Sequence, residues 1–125
     1  MKYNFNVVSK GDYLHVTVQG DNTPQNVKDY LSEVLNACLK YGCNKVIIEE
    51  NLHGPSLGTF DIFGIVANAS KDPVIAKLQI AYMDVNKEHD LQGMRFAETV
   101  AVNRAINVRL FSDYGKAEQW LQNTK

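Results

Sequence analysis

A chain of 125 residues, 45% hydrophobic and 22% charged, is long enough to bury one core without disulfide or metal support, which predicts a single domain over residues 1–125. Thirteen Lys plus Arg against fourteen Asp plus Glu leave a net charge of -1, so the basic footprint that nucleic acid or an anionic membrane surface demands is absent. No run approaches the roughly 18 apolar residues of a membrane span, and MKYNFNVVSKGD lacks the apolar segment of a signal peptide; the expectation is a cytoplasmic protein.

The chain opens with two β-branched and aromatic runs, NFNVV and YLHVTVQG, separated by SKGD, where Gly11 and Asp12 supply hairpin turn chemistry. In the second run Leu14, Val16 and Val18 alternate with His15, Thr17 and Gln19, which puts His15 on the half-exposed face. Thr23 followed by Pro24 marks a helix start: the hydroxyl caps free N–H groups and proline fills the first position, where its missing donor costs nothing. Val27, Tyr30, Leu31, Val34, Leu35, Cys38 and Leu39 then recur at helical spacing as far as Gly42. Cys38, on the apolar face, reads as a reduced core thiol, and with Cys43 it matches neither zinc nor disulfide spacing.

KVIIEE is an apolar run too continuous for a strand with one wet face, so it should lie centrally in the sheet, closed by Glu49 and Glu50 with one side chain in solvent. The loop HGPSLGTFD, His53 to Asp61, follows. From Thr59 a helical period resumes through Phe60, Phe63 and Ala67 and, one place round, Ile62, Val66 and Ala69, ending before Pro73. AKLQIAYMDV reads as a strand and NKEHDLQG as its polar exit, with His89 a solvated loop residue. A helix through MRFAETVAVNR and a short strand in NVRLFSD come next. Asp113 or Ser112 then caps a last helix striped by Ala117, Trp120 and Leu121, and the tail NTK is expected to fray.

The order is thus β-β-α-β-α-β-α-β-α, an α/β chain with about four helices. Strands joined through helices run parallel by right-handed crossovers, so the sheet should be mixed: an N-terminal antiparallel hairpin and an otherwise mainly parallel core.

HGPSLGTFD concentrates the chemistry. His53, Ser56, Thr59 and Asp61 lie beside a helix N-terminus, whose free N–H groups and positive dipole end favour an anion. The chain contains neither G-x-G-x-x-G nor G-x-x-x-x-G-K-[ST]. Imidazole, hydroxyl and carboxylate are the groups of a hydrolytic triad, but here they crowd one segment instead of converging from several, and the G-x-S-x-G elbow is absent. The simpler reading makes Thr59 the helix N-cap, with Asp61 in the first turn. No histidine has metal-ligand spacing with another. No catalytic residue, metal or cofactor is expected.

With the element order established, RFAETVAVNRAINVRLFSDYGKAEQWL resembles the closing segment of the STAS-like or SpoIIAA-like proteins, small bacterial domains akin to anti-sigma-factor antagonists. Their helix rich in F-A-E-T-V-A-V-N-R matches Phe96 to Arg104, their strand V-R-V-F matches Val108 to Phe111, and their last helix E-E-A-x-x-W-L matches Lys116 to Leu121. The resemblance covers the last third in sequence and the remainder by element order. It implies a four- or five-stranded mixed sheet, no enzyme activity, and action through a protein partner such as a kinase or regulatory factor.

In the antagonist members a serine at the start of the helix after the third strand is phosphorylated, within a motif resembling D-S-S-G-L-G-V-I. Matching Gly64-Ile65-Val66 to the end of that motif sets Asp61 on the phosphorylated serine and Phe60 on the serine before it. A carboxylate does not accept phosphate by that chemistry, which leaves Ser56 and Thr59 as the neighbouring hydroxyls. The resemblance gives Glu98, Thr99, Asn103 and Arg104 a role at the helix end or in partner contact, whereas spacing alone gives Glu98 a solvated pairing with Arg95. Relatives place glycine where this chain has Ala105; a left-handed helix end there would cost alanine about 1 kcal/mol.

The expected function is a non-enzymatic protein-interaction or regulatory module with loop 53–61 as its contact site. The alternative is a binder of a small apolar, lipid-like ligand or of a nucleotide, with Phe60, Ile62 and Phe63 lining a pocket. A homodimer would use an uncovered hairpin edge or helix face.

Overall fold

The computed structural model describes residues 3–123; Thr124 and Lys125 of the tail expected to fray lie outside them. The opening alternation forms β1 (Tyr3–Ser9) and β2 (Leu14–Asp21), paired antiparallel from Tyr3 opposite Gly20 to Ser9 opposite Leu14. Their turn closes with Lys10 N–H donating to the Tyr13 carbonyl at 2.9 Å, and Gly11 takes a φ of +89°, open to glycine. β3 (Lys45–His53), β4 (Gln79–Asp84) and β5 (Asn107–Leu110) add in parallel, giving the order β1-β2-β3-β4-β5. The mixed sheet is as expected, and KVIIEE is its middle strand. That strand runs on to His53, so Glu49 and Glu50 do not close it.

α1 (Pro24–Tyr41) begins where the capping signal places it, with Thr23 Oγ1 accepting from Asn26 N–H at 3.1 Å, and it ends in left-handed Gly42. Leu39 departs from the expected apolar stripe and is 63% exposed, while Ala37 turns inward. α2 (Thr59–Ala69), a short 3-10 turn over Ile75–Lys77, α3 (Leu91–Asn103) and α4 (Tyr114–Asn123) complete the chain. Asp113 caps α4, its Oδ1 accepting from Gly115 N–H at 2.8 Å.

Helices α1, α2 and α3 pack side by side over one face of the sheet, and α4 lies on the other against β3 and β4. The larger core therefore holds Val16, Val18, Val46, Ile48 and Ile80 under α1 to α3, with Tyr30, Val34 and Cys38 from α1. Burial pushes the Cys38 thiol up to about 11, an inert core group. The smaller core sets Ile47, Ala81 and Met83 against Ala117 and Leu121. Because side chains alternate across a strand, even-numbered residues of β3 and β4 face the three helices and odd-numbered ones face α4. That parity decides which charged groups are buried.

Candidate functional site

Parallel strands deliver their loops at their carboxyl ends, where ligands of open α/β sheets gather. Here β3 and β4 deliver loops 54–58 and 85–90 to the same edge. His53 is the last residue of β3, exposed and opposite Asp21. Gly54 turns the chain at φ +107°, a conformation costly for a side-chain-bearing residue. The loop is then tied down: Asn22 Nδ2 donates to the Pro55 carbonyl at 2.9 Å, and Asp90 N–H donates to Ser56 Oγ at 3.1 Å.

Two sequence expectations are corrected in α2. The N-cap is Gly58, not Thr59: Gly58 is extended and its carbonyl already accepts from Ile62 N–H at 3.0 Å, so Thr59 falls one place inside the helix. Asp61 does lie in the first turn. Phe60 and Phe63 turn outward instead of lining a pocket beside Ile62; they are 89% and 45% exposed. The inward stripe is Ile62, Ile65, Val66 and Ala69, spaced three and four apart, and positions 60 and 63 lie off it. His53, Ser56, Thr59 and Asp61 are thus all exposed around one loop, and no triad forms from them among the described residues.

The charged groups that the fold does bring together are others. Glu50 follows Val46 and Ile48 on the buried face and is only 5% exposed. It accepts hydrogen bonds from the Tyr30 hydroxyl on α1 and, at 2.9 Å, from the Tyr82 hydroxyl on β4. Burial raises its pKa to about 7 and the nearby Asp84 adds to the rise, against the two tyrosine hydrogen bonds and His89. Glu49, of opposite parity, faces the α4 side and meets His15 Nε2 at 3.0 Å.

His89, expected in solvent, is also buried. Its Nδ1 lies 2.6 Å from Asp84 Oδ2 and its Nε2 lies 2.8 Å from the Gly54 carbonyl. A carbonyl only accepts, so the contact with Gly54 calls for a proton on Nε2, and Nδ1 pairs with the Asp84 carboxylate. Burial works against a charged ring, but Asp84 and the Gly54 carbonyl outweigh it and raise the pKa. With both nitrogens engaged, His89 is a clamp between β4 and loop 54–58.

Glu50, Tyr82, Asp84 and His89, with Tyr30, border a cavity of about 180 Å³ between the sheet and helices α1 to α3, walled mainly by aliphatic side chains. The sequence carried a signal for this cluster: the alternation Val46, Ile48, Glu50 and Ile80, Tyr82, Asp84 continues one face past the apolar residues.

The residues of the C-terminal resemblance separate. Glu98 does not pair with Arg95; its Oε2 accepts from the Leu110 N–H at 2.6 Å, fixing α3 to the end of β5. Thr99 and Asn103 are exposed. Arg104 caps α3 and lies over the Phe63 ring, 4.8 Å from its centroid. Ala105 takes the left-handed conformation, φ +64°, with Ala105 and Ile106 N–H groups bonding back to the carbonyls of Val102 and Ala101 at 3.0 Å.

Among the described residues no group of three or more His, Cys, Asp or Glu is placed to hold a metal ion, and no helix is long and apolar enough to cross a membrane. No family model and no curated protein matches the sequence. Solved structures do match. A serine-to-glutamate variant of RsbS from Moorella thermoacetica superposes with a TM-score of 0.54 at 14% identity, over 95% of each chain. The protein TM1081, solved by NMR, gives a TM-score of 0.54 at 15% identity, over 97% of this chain and 90% of that one. A likeness that spans nearly the whole chain, with an antiparallel first pair and a parallel remainder, makes this a STAS/SpoIIAA-like fold.

Proposed function

We propose that the chain is a non-enzymatic, cytoplasmic regulatory module of bacterial type that works by binding another protein through loop 53–61 and the first turn of α2. The observation that carries this reading is Phe60, which stands 89% exposed at the start of a helix beside the acidic Asp61. Exposing a large aromatic ring costs solvation with no return inside the fold, and aromatic anchors dominate interface energetics. Phe63, half-covered by Arg104, extends the patch by one turn, and Ser56 and Thr59 are exposed hydroxyls at its rim. Asp61 contributes a permanent negative charge where the antagonist motif carries its serine, so binding would not wait on a kinase at that position. A phosphate on Thr59 would sit at the N-terminus of α2, where the helix dipole stabilises it.

A native pull-down with the full chain tests the proposal. Phe60→Ala is expected to lose the captured partner while leaving the circular dichroism spectrum and melting temperature unchanged, because the ring packs against little. Phe60→Ala and Asp61→Ala variants that both retain every partner would refute it. Mass spectrometry of the protein from its own source reads out whether Ser56 or Thr59 carries phosphate.

A further inference from the structure

The cavity under α2 and α3 adjoins the loop through Ser56 and Leu57 but has a chemistry of its own. Its walls are aliphatic, among them Ile48, Ile62, Val66 and Ile80. At about 180 Å³ it is the size that accommodates a monocyclic arene with one short substituent, since a dry cavity of roughly 150 Å³ takes benzene. Its charged border is mainly acidic: Glu50, Asp84, Asp90 and Glu98 line it, no Lys or Arg does, and His89 is already held by Asp84 and the Gly54 carbonyl. Three of those acids are already engaged. Asp84 holds the His89 ring, Glu98 holds the Leu110 N–H and Asp90 caps α3. Glu50 alone faces the cavity with only tyrosine hydroxyls as partners. Each of its oxygens accepts one hydroxyl and keeps a second lone pair.

We infer that this cavity binds a small apolar molecule bearing one protonated amine, seated with its ammonium on Glu50 and its hydrocarbon body among the aliphatic walls. An ammonium supplies the counter-charge that the buried carboxylate lacks, and Tyr30 and Tyr82 flank it with aromatic faces and hydroxyl oxygens. The same border rejects carboxylates and phosphates, for which it offers like charge and no Lys or Arg, His89 being engaged by Asp84 and the Gly54 carbonyl. Fatty acids and nucleotides, the ligands anticipated for a binder of this fold, are therefore excluded by charge as well as by size.

Benzylamine, toluene and benzoate share one body and differ in headgroup, and titration of the full chain with each, followed by ¹H–¹⁵N NMR and thermal shift, tests the inference. Benzylamine is expected to raise the melting temperature and to shift the amides of residues around Glu50, toluene to bind at least about tenfold more weakly, and benzoate not at all. Glu50→Gln should bring benzylamine down to the toluene level. Should that variant fold poorly, Ala97→Leu, which fills the cavity from α3 without touching the acid, should abolish binding of benzylamine and toluene alike. Toluene or benzoate binding as tightly as benzylamine, benzylamine binding undiminished by both variants, or no probe binding at millimolar concentration would each overturn the inference.

Discussion

Glu50 makes stability depend on pH in a direction opposite to the familiar acid denaturation. Its folded-state pKa is raised from 4.5 to about 7, so between those values the folded protein holds a proton that the unfolded chain has released. Stability from this group is therefore complete below pH 4.5 and is lost as pH rises through 7. Each tenfold change in proton affinity is 1.36 kcal/mol, so the whole effect amounts to about 3 kcal/mol, of which roughly 2 to 3 kcal/mol falls between pH 5 and pH 8. His89 works in the same direction: its raised pKa gives stability that is complete below 6.5 and lost as pH rises through its folded value. The groups facing Glu50 are Tyr30 from α1, Tyr82 and Asp84 from β4, and His89 from the loop beyond it; the tyrosine hydrogen bonds and His89 oppose the rise, and burial outweighs them. Urea unfolding followed by circular dichroism at pH 5, 6, 7 and 8 reads the effect. With a slope of about 1–3 kcal/mol per molar urea, the midpoint should fall by about 1–2 M across that range. Glu50→Gln cannot ionise and should show a much shallower fall, less stable than the parent at pH 5 and more stable at pH 8. A parent midpoint that stays constant or rises from pH 5 to 8, or a Glu50→Gln variant with the parent's full slope, would refute the reasoning.

Further outcomes follow from single contacts. Ala105→Gly relieves the left-handed strain at φ +64° while keeping both hydrogen bonds that end α3, and should stabilise the protein by about 1 kcal/mol, or about 3 to 5 °C in calorimetry. Thr23→Ala removes the 3.1 Å cap on Asn26 N–H and should cost about 1 kcal/mol in urea unfolding at constant slope. His89→Ala leaves the Asp84 carboxylate buried without its partner and frees the Gly54 carbonyl. It should cost about 3 kcal/mol or more and open the 54–58 segment to limited proteolysis, a cleavage absent from the parent.

The elements were legible because each is specified locally. Thr23-Pro24 and Gly42 bound α1 by capping and by left-handed freedom, and the alternation from Leu14 to Val18 fixes a strand without any partner being known. Element order then dictated the sheet, since crossovers through helices admit one handedness. Loop 53–61 was legible as an exposed, polar connection, but not the fate of its aromatic neighbours. Phe60, Phe63 and Ile62 have the same apolar character in sequence, and only the direction from which the sheet approaches α2 turns the last inward to line the cavity and exposes the first two.

The buried cluster was hidden for a related reason. Glu50 and His89 are residue types that belong in water on average, and what overrides that average is the convergence of Tyr30, Tyr82, Asp84 and Gly54 from separate segments. The sequence by itself determined the element order, the caps, the mixed sheet and the surface loop, because propensity, periodicity and chirality act over a few residues. Only the tertiary structure decided which of two adjacent glutamates, Glu49 or Glu50, faces the interior and what meets it there, because that depends on strand parity within a sheet whose two faces are covered unequally.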